Sequence, residues 1–205
     1  SAIAQTNFKR MLAFSTIAQM GFVLIGMLSG VVNGNTLSAA NAYSSAMFYM
    51  ISYVLTTLGV FGVILLLARE GFESEEISDL AGLNQRSPLF AGVMAICLFS
   101  LAGVPPLVGF FAKLSVIQAL VATAQPVAIG LAIFAVAMSL IGAFYYLRVI
   151  KVMYFDPPLT ATTVSAGADV RVVLALNGGL VLVLGLLPGG LMALCANAVV
   201  QALGS

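Results

Sequence analysis

The chain predicts an all-α polytopic transmembrane helix bundle of about five crossings, on three observations. First, it has 205 residues of which 61% are hydrophobic and only 7% charged, where a soluble domain carries roughly 25% charged residues. Too little polar surface is left to cover such a chain in water, so its solvent is lipid. Second, residues 11–68 and 172–205 contain no Asp, Glu, Lys or Arg, and each run exceeds the ~20 apolar residues that span a bilayer. Third, with five crossings Lys9, Arg10, Arg69, Arg86, Arg148, Lys151 and Arg171 all fall on one side of the membrane. Cytoplasmic loops concentrate Lys and Arg, which makes that side cytoplasmic. A sixth crossing would move Arg148, Lys151 and Arg171 across and destroy the bias.

Taken in order, the first apolar segment runs from about Arg10 to Val31, led in by Asn7 and Lys9 and ended by an Asn33-Gly34-Asn35 turn. The second runs from about Ala42 to Ala68 and stops at Arg69-Glu70-Gly71. Connector 69–87 follows, with most of the charges. Within it Ile77, Leu80 and Leu83 recur at helical spacing, which predicts a short amphipathic helix lying at the interface. Its acidic cluster, Glu70, Glu73, Glu75, Glu76 and Asp79, reads as a solvated loop. The third segment extends from Pro88 to about Thr123, and the fourth from about Pro126 to Met153. Connector 154–170, which contains Pro, Ser and Thr, reads as loop. The fifth runs from about Arg171 to Leu187, where Pro188-Gly189-Gly190 breaks it ahead of a short terminal helix over 191–203. The chain is expected to form one membrane domain over 1–205 with connectors 69–87 and 154–170 cytoplasmic. It opens Ser-Ala-Ile-Ala-Gln without an initiator Met, which leads us to expect a piece of a longer subunit.

The third segment organises the rest. It holds Ser100-Leu-Ala-Gly-Val-Pro-Pro-Leu-Val-Gly-Phe-Phe-Ala-Lys113, and from Ser87 to Leu147 Lys113 is the lone charge. A lysine at a helix centre in lipid costs about 2.5–3.5 kcal/mol by insertion scales. From Lys113 to the end of the segment is about ten residues, or ~15 Å at 1.5 Å per residue, half of a ~30 Å hydrocarbon core. That places Lys113 near the midplane. The remaining residues are far more than a straight helix needs for the other half. A helix break is therefore expected at Gly103, Pro105 and Pro106, since proline removes a donor and clashes with the preceding turn. Broken helices near the midplane recur in ion-translocating proteins.

Lys113 has two readings. Burial disfavours the ammonium, so a lysine in apolar surroundings can accept and release a proton as a relay. Alternatively it hydrogen-bonds nearby carbonyls and locks the break. In the second segment Ser45, Tyr49, Ser52 and Thr56 follow at steps of four, three and four, on one helical face. They form either a polar wall holding a water chain or ordinary interhelical hydrogen bonds. Ser15, Thr16 and Gln19 lie within one turn of the first segment, and a buried Gln19 needs a partner. Tyr145 and Tyr146, beside Arg148, read as an interfacial anchor; Ser139 and Gly142 read as close helix contacts. Cys97 and Cys195 have no metal spacing and read as packing residues. With no histidine and a net charge of +1, neither a histidine-based metal or acid–base site nor nucleic-acid binding is indicated. No nucleotide loop, catalytic triad or redox-centre motif is found.

The stretches Thr6-Asn-Phe-Lys-Arg-Met-Leu-Ala-Phe-Ser-Thr-Ile-Ala-Gln-Met-Gly21 and Ser100 to Lys113 resemble the proton-conducting, antiporter-like membrane subunits of respiratory complex I. Ile141-Gly-Ala-Phe-Tyr-Tyr-Leu-Arg-Val149 and Gly82-Leu-Asn-Gln-Arg-Ser-Pro88 are similar, more narrowly, to the subunit N (subunit 2) type of bacterial NADH-quinone oxidoreductase. The resemblance implies the last five crossings of a longer subunit in a bacterial inner membrane, with Lys113 the terminal group of a proton path. It implies neighbouring antiporter-like subunits and the lipid bilayer as partners. It places NADH, flavin, iron–sulfur clusters and quinone with the whole complex and no redox centre in this chain. Members often carry a histidine where Gln19 stands, and relatives carry histidines near Ser45 to Tyr49. Here a water-mediated path past Gln19 and Tyr49 would replace them. Two alternatives stand beside this reading: a membrane subunit of a multi-subunit cation/proton antiporter, which more often keeps relay histidines, and a structural membrane scaffold.

Overall fold

The computed structural model describes residues 2–31, 38–69, 75–159, 164 and 166–204. The expected Asn33-Gly34-Asn35 turn and the Glu70–Ser74 part of the acidic connector lie outside the described residues. The helices are α1 (Phe8–Leu28), α2 (Ala39–Arg69), α3 (Leu83–Arg86), α4 (Pro88–Ala102), α5 (Val108–Val121), α6 (Pro126–Phe155), α7 (Ala168–Leu186) and α8 (Gly189–Gly204). Among the described residues β-type pairing is confined to an isolated bridge between Asn7 and Glu76. The protein is all-α and multi-pass.

Local chemistry sets several ends. Asn7 caps α1, its side chain accepting from the Arg10 N–H at 2.9 Å. Pro88 and Pro126 stand in the first turns of α4 and α6, where a missing N–H leaves no bond unmade. The N–H of Phe8 donates to Glu75 O at 2.6 Å and that of Ile77 to Thr6 O at 2.9 Å, tying the start of α1 to the connector after α2. That connector differs from expectation. Ile77, Leu80 and Leu83 are buried in protein instead of lying on the membrane surface. Ile77–Leu80 forms only a single 3₁₀ turn, and it packs against α6. The chain turns at Ala81–Gly82, and the Gly82 N–H donates to Val152 O of α6 at 3.3 Å. Helical spacing was present, but the turn redirects those side chains inward before an interfacial helix can form.

Helices α1, α2, α6 and α7 are long and apolar enough to cross a membrane. α4 and α5, at 15 and 14 residues, reach about 22 and 21 Å at 1.5 Å per residue. Neither covers ~30 Å of hydrocarbon alone, and together they make the fifth crossing. The break falls where expected: α4 ends at Ala102, Gly103 takes φ 86°, Pro105-Pro106 is a cis peptide, and α5 starts at Val108. The second break is shifted. Leu187–Pro188 interrupts the chain, whereas Gly189 and Gly190 belong to the first turn of α8, whose Met192 N–H donates to Pro188 O at 3.0 Å.

α4 is the central element, with ten of its 15 residues buried, and α2, α5, α6 and α7 surround it. α6 turns Ile133, Phe134, Leu140 and Phe144 outward, as suits a helix whose solvent is acyl chain. α7 packs backbone to backbone on the break: a Cβ on Gly185 would collide with Pro106 O and with Leu107. Its Asn177 amide also donates to Leu55 O of α2 at 3.0 Å. Gly185→Leu is therefore expected to drive α7 off the break, at the cost of about 1–3 kcal/mol or more that overpacking brings. Thermal unfolding of the detergent-solubilised protein measures it, and an unchanged midpoint would mean that the contact is slack.

Candidate functional site

The broken helix exposes polar groups that an intact helix would have consumed. The last carbonyls of a helix have no intrahelical partner, and the first N–H groups lack one too. Here each half supplies the other. Ser100, near the end of α4, accepts from the Gly109 N–H in the first turn of α5 at 3.0 Å. Lys113, on α5, reaches back to the end of α4, where its Nζ donates to Leu101 O at 2.9 Å and to Ala102 O at 3.0 Å. A cation at a helix C-terminus is also favoured by the helix dipole. The third Nζ bond goes to Ser139 Oγ on α6 at 2.9 Å. The Phe22 ring of α1 lies below, its centroid 5.6 Å from Nζ, within cation–π range.

Gln19 is the hub of the surrounding network. Its Nε2 donates to Leu101 O at 3.2 Å, so that one freed carbonyl serves both Gln19 and Lys113. Nε2 also donates to the Tyr146 hydroxyl at 3.1 Å, and Oε1 accepts from the Tyr49 hydroxyl. The Tyr146 hydroxyl in turn is bonded to Ser15 Oγ. Tyr53 donates to Thr16 Oγ1 at 2.8 Å. A crevice of about 450 Å³ between α1 and α6 is lined by Lys113, Gln19, Phe22, Ser139, Gly142, Tyr145 and Tyr146, among others.

Of the residues expected in the site, Lys113, Gln19, Ser15 and Tyr49 are brought together. Ser52 donates to Phe48 O of its own helix at 2.7 Å and lines a small void shared with Gln19, Tyr49, Thr56 and Lys113. Ser45 is not brought to the lysine. It donates to Asn41 O at 2.8 Å and borders a cleft against Met192 of α8. Four residues earlier than Tyr49 on α2 means ~6 Å further along the axis, beyond the reach of the Gln19 network. Gly103, Pro105 and Pro106 form the break itself.

Three residues differ from the sequence reading. Tyr146 is buried in the network and is no interfacial anchor; Tyr145 is buried beside it. Proximity to Arg148 suggested the anchor, yet the same helix face carries Ser139, Gly142 and Tyr146 at steps of three and four, a signal that marks an inward stripe. Ser139 is more than a helix contact, since it binds the ammonium. Gln19→Leu is expected to leave the buried hydroxyl of Tyr49 without its acceptor and that of Tyr146 without one donor. An unsatisfied buried group costs roughly 1–3 kcal/mol. Thermal unfolding in detergent should report a lower midpoint than for Thr16→Val, which removes only the Tyr53 contact and a bond to Leu12 O of its own helix.

The sequence model described as NADH:quinone oxidoreductase/Mrp antiporter, TM, matches residues 1–151. The chain is 66% identical to NADH-quinone oxidoreductase subunit N of Polaromonas naphthalenivorans over 100% of its own length and 42% of that protein's. It therefore spans about two-fifths of the length of such relatives. It superposes on a chain of respiratory complex I from Thermus thermophilus with bound Aureothin at a TM-score of 0.76 and 28% identity, covering 94% of this chain and 41% of that one. A chain of the Mrp complex from Dietzia sp. shares the fold at a TM-score of 0.78 and 21% identity, with 97% and 43% covered.

Proposed function

Because the chain belongs to the family of NADH:quinone oxidoreductase and Mrp antiporter transmembrane subunits, we propose that it moves protons across a bacterial inner membrane. It does so as the stretch of a subunit N that carries the broken helix. The observation that carries this reading is the Lys113 ammonium, held by carbonyls that the break sets free and reaching into a crevice. A lysine pinned in this way is spared exposure to hydrocarbon, and loss of its proton leaves a neutral amine that still donates to both carbonyls. Lys113 is the group that takes up and releases the transported proton.

Gln19 cannot itself ionise; it holds the hydroxyls that guide protons and water to the lysine. Its branches diverge. Ser15 and Tyr146 lead toward the ends of α1 and α6 that carry Lys9, Arg10, Arg148 and Lys151. Tyr49 leads the other way, toward the start of α2, with Ser45 one turn beyond; Ser52 borders the void beside the lysine. Redox chemistry with NADH, flavin, iron–sulfur clusters and quinone belongs to other subunits of the complex, and neighbouring antiporter-like subunits and lipid surround this one. Residues 1–205 act as one membrane domain. The identity to subunit N favours this reading over a cation/proton antiporter subunit, for which the Mrp likeness carries the fold alone, and the pinned lysine favours it over a passive scaffold.

We infer that connectors 69–87 and 154–170 face the cytoplasm, a reading supported by the one-sided distribution of Lys and Arg. Single cysteines at Ser38 and Glu75, in a background with Cys97 and Cys195 replaced, are expected to label from opposite sides of the membrane; labelling from one side would refute the topology. The function itself is tested by proton flux per electron in vesicles holding the assembled complex with Lys113 replaced.

A further inference from the structure

We propose that Ser139 is the group through which Lys113 releases and regains its proton. The proposal rests on Lys113 being the relay and names the atom through which that relay exchanges its proton. Nζ is surrounded by three oxygens: Leu101 O at 2.9 Å, Ala102 O at 3.0 Å and Ser139 Oγ at 2.9 Å. The three are not equivalent. A carbonyl can only accept, whereas a hydroxyl accepts and donates. If the proton left from the bond to either carbonyl, the new lone pair on nitrogen would face an oxygen lone pair. If it leaves from the bond to Ser139, the lone pair faces an O–H donor, and both carbonyl bonds survive.

The hydroxyl proton is also available. Ser52, Thr56 and Thr57 donate to carbonyls of their own helix. Among the described residues Ser139 makes no such bond, and it stands in the wall of the crevice with Lys113. The step balances with water as co-reactant. The N–H bond of Lys113 breaks as that proton forms a new O–H bond on Ser139 Oγ. The former hydroxyl proton passes to a water in the crevice, giving hydronium. Lys113 is left as a neutral amine that accepts from Ser139, and the reverse sequence reloads it. Gly142 and Tyr146 continue the Ser139 face of α6, so the course from the serine runs along the crevice toward the tyrosines.

The test uses the full-length subunit in the assembled complex, in vesicles, with proton flux per electron followed by a pH-sensitive dye. Threonine and valine have the same shape and differ in the hydroxyl. Ser139→Thr is expected to retain flux. Ser139→Val, and Ser139→Ala, which adds no bulk, are expected to fall to the level of Lys113→Met, with assembly on a native gel unchanged. Equal flux from the Thr and Val variants, whether normal or lost, would overturn the role of the hydroxyl while leaving Lys113 as relay. Normal flux from Lys113→Met would remove the relay reading, and this one with it.

Discussion

A complex carrying Lys113→Met is expected to assemble and to lose the proton pumping that depends on this subunit. Methionine keeps roughly the volume of the lysine stem and is tolerated in irregular apolar space, so the packing of α5 against α1 and α2 is retained. What disappears is the ammonium and its three bonds. Leu101 O keeps the Gln19 donor at 3.2 Å, Ser139 Oγ fronts a crevice that can admit water, and Ala102 O loses the Lys113 donor. The stability loss is then of the order of one or two unmet hydrogen bonds, about 1–3 kcal/mol each, small for a large assembly. The chemical loss is complete, because a thioether does not titrate. Lys113→Arg separates charge from proton exchange: its guanidinium stays protonated in proteins, and its planar fork matches three converging oxygens poorly. It is expected to fail as well. Proton flux per electron in vesicles, with assembly followed on a native gel, decides between the two sequence readings of this lysine. Pumping at the normal ratio by an assembled Lys113→Met complex would reduce Lys113 to a lock on the break.

The second large effect is expected at Gly103. Its φ of 86° lies in the left-handed region, where a β-branched residue is strained by about 1–3 kcal/mol. The space is also taken, because a Cβ here would stand 3.1 Å from both Cδ and Nζ of Lys113. Gly103→Val thus meets two opponents, the backbone conformation that ends α4 and the side chain that closes the end. The ammonium has to retreat from Leu101 O and Ala102 O, and the two carbonyls lose their donor. We expect reduced flux together with a lower thermal midpoint, in contrast to Lys113→Met, which strikes flux almost alone. Gly103→Ala should fall between wild type and Val. A Val variant with native midpoint and native flux would mean that the break can close with another backbone conformation, against the geometry described here.

Much of the architecture was legible without coordinates because it follows from local or additive properties. Gly103, Pro105 and Pro106 mark the break through backbone chemistry that acts within a few residues. The reading failed where long-range packing overrides local pattern. Ile77, Leu80 and Leu83 have the spacing of an interfacial helix, yet α6 offers them a protein surface. Tyr146 sits two residues from Arg148 and reads as an anchor, yet its partners Gln19 and Ser15 are 127 and 131 residues away in the chain. Ser45 shares a face with Tyr49 but not a depth with Lys113.

Lipid as the solvent, the position of the broken segment and the identity of its lone cation were readable from the order of the amino acids. Each of these depends on composition, on runs without charge, or on proline and glycine, quantities that need no knowledge of neighbours. What the cation does with its three protons depends on how the helices pack. The two half-helices meet so that each caps the other, and α6 brings Ser139, 26 residues on, to the third proton. Hydrogen bonding acts over about 3 Å, so which acceptor faces which donor is fixed by how rigid helices stack.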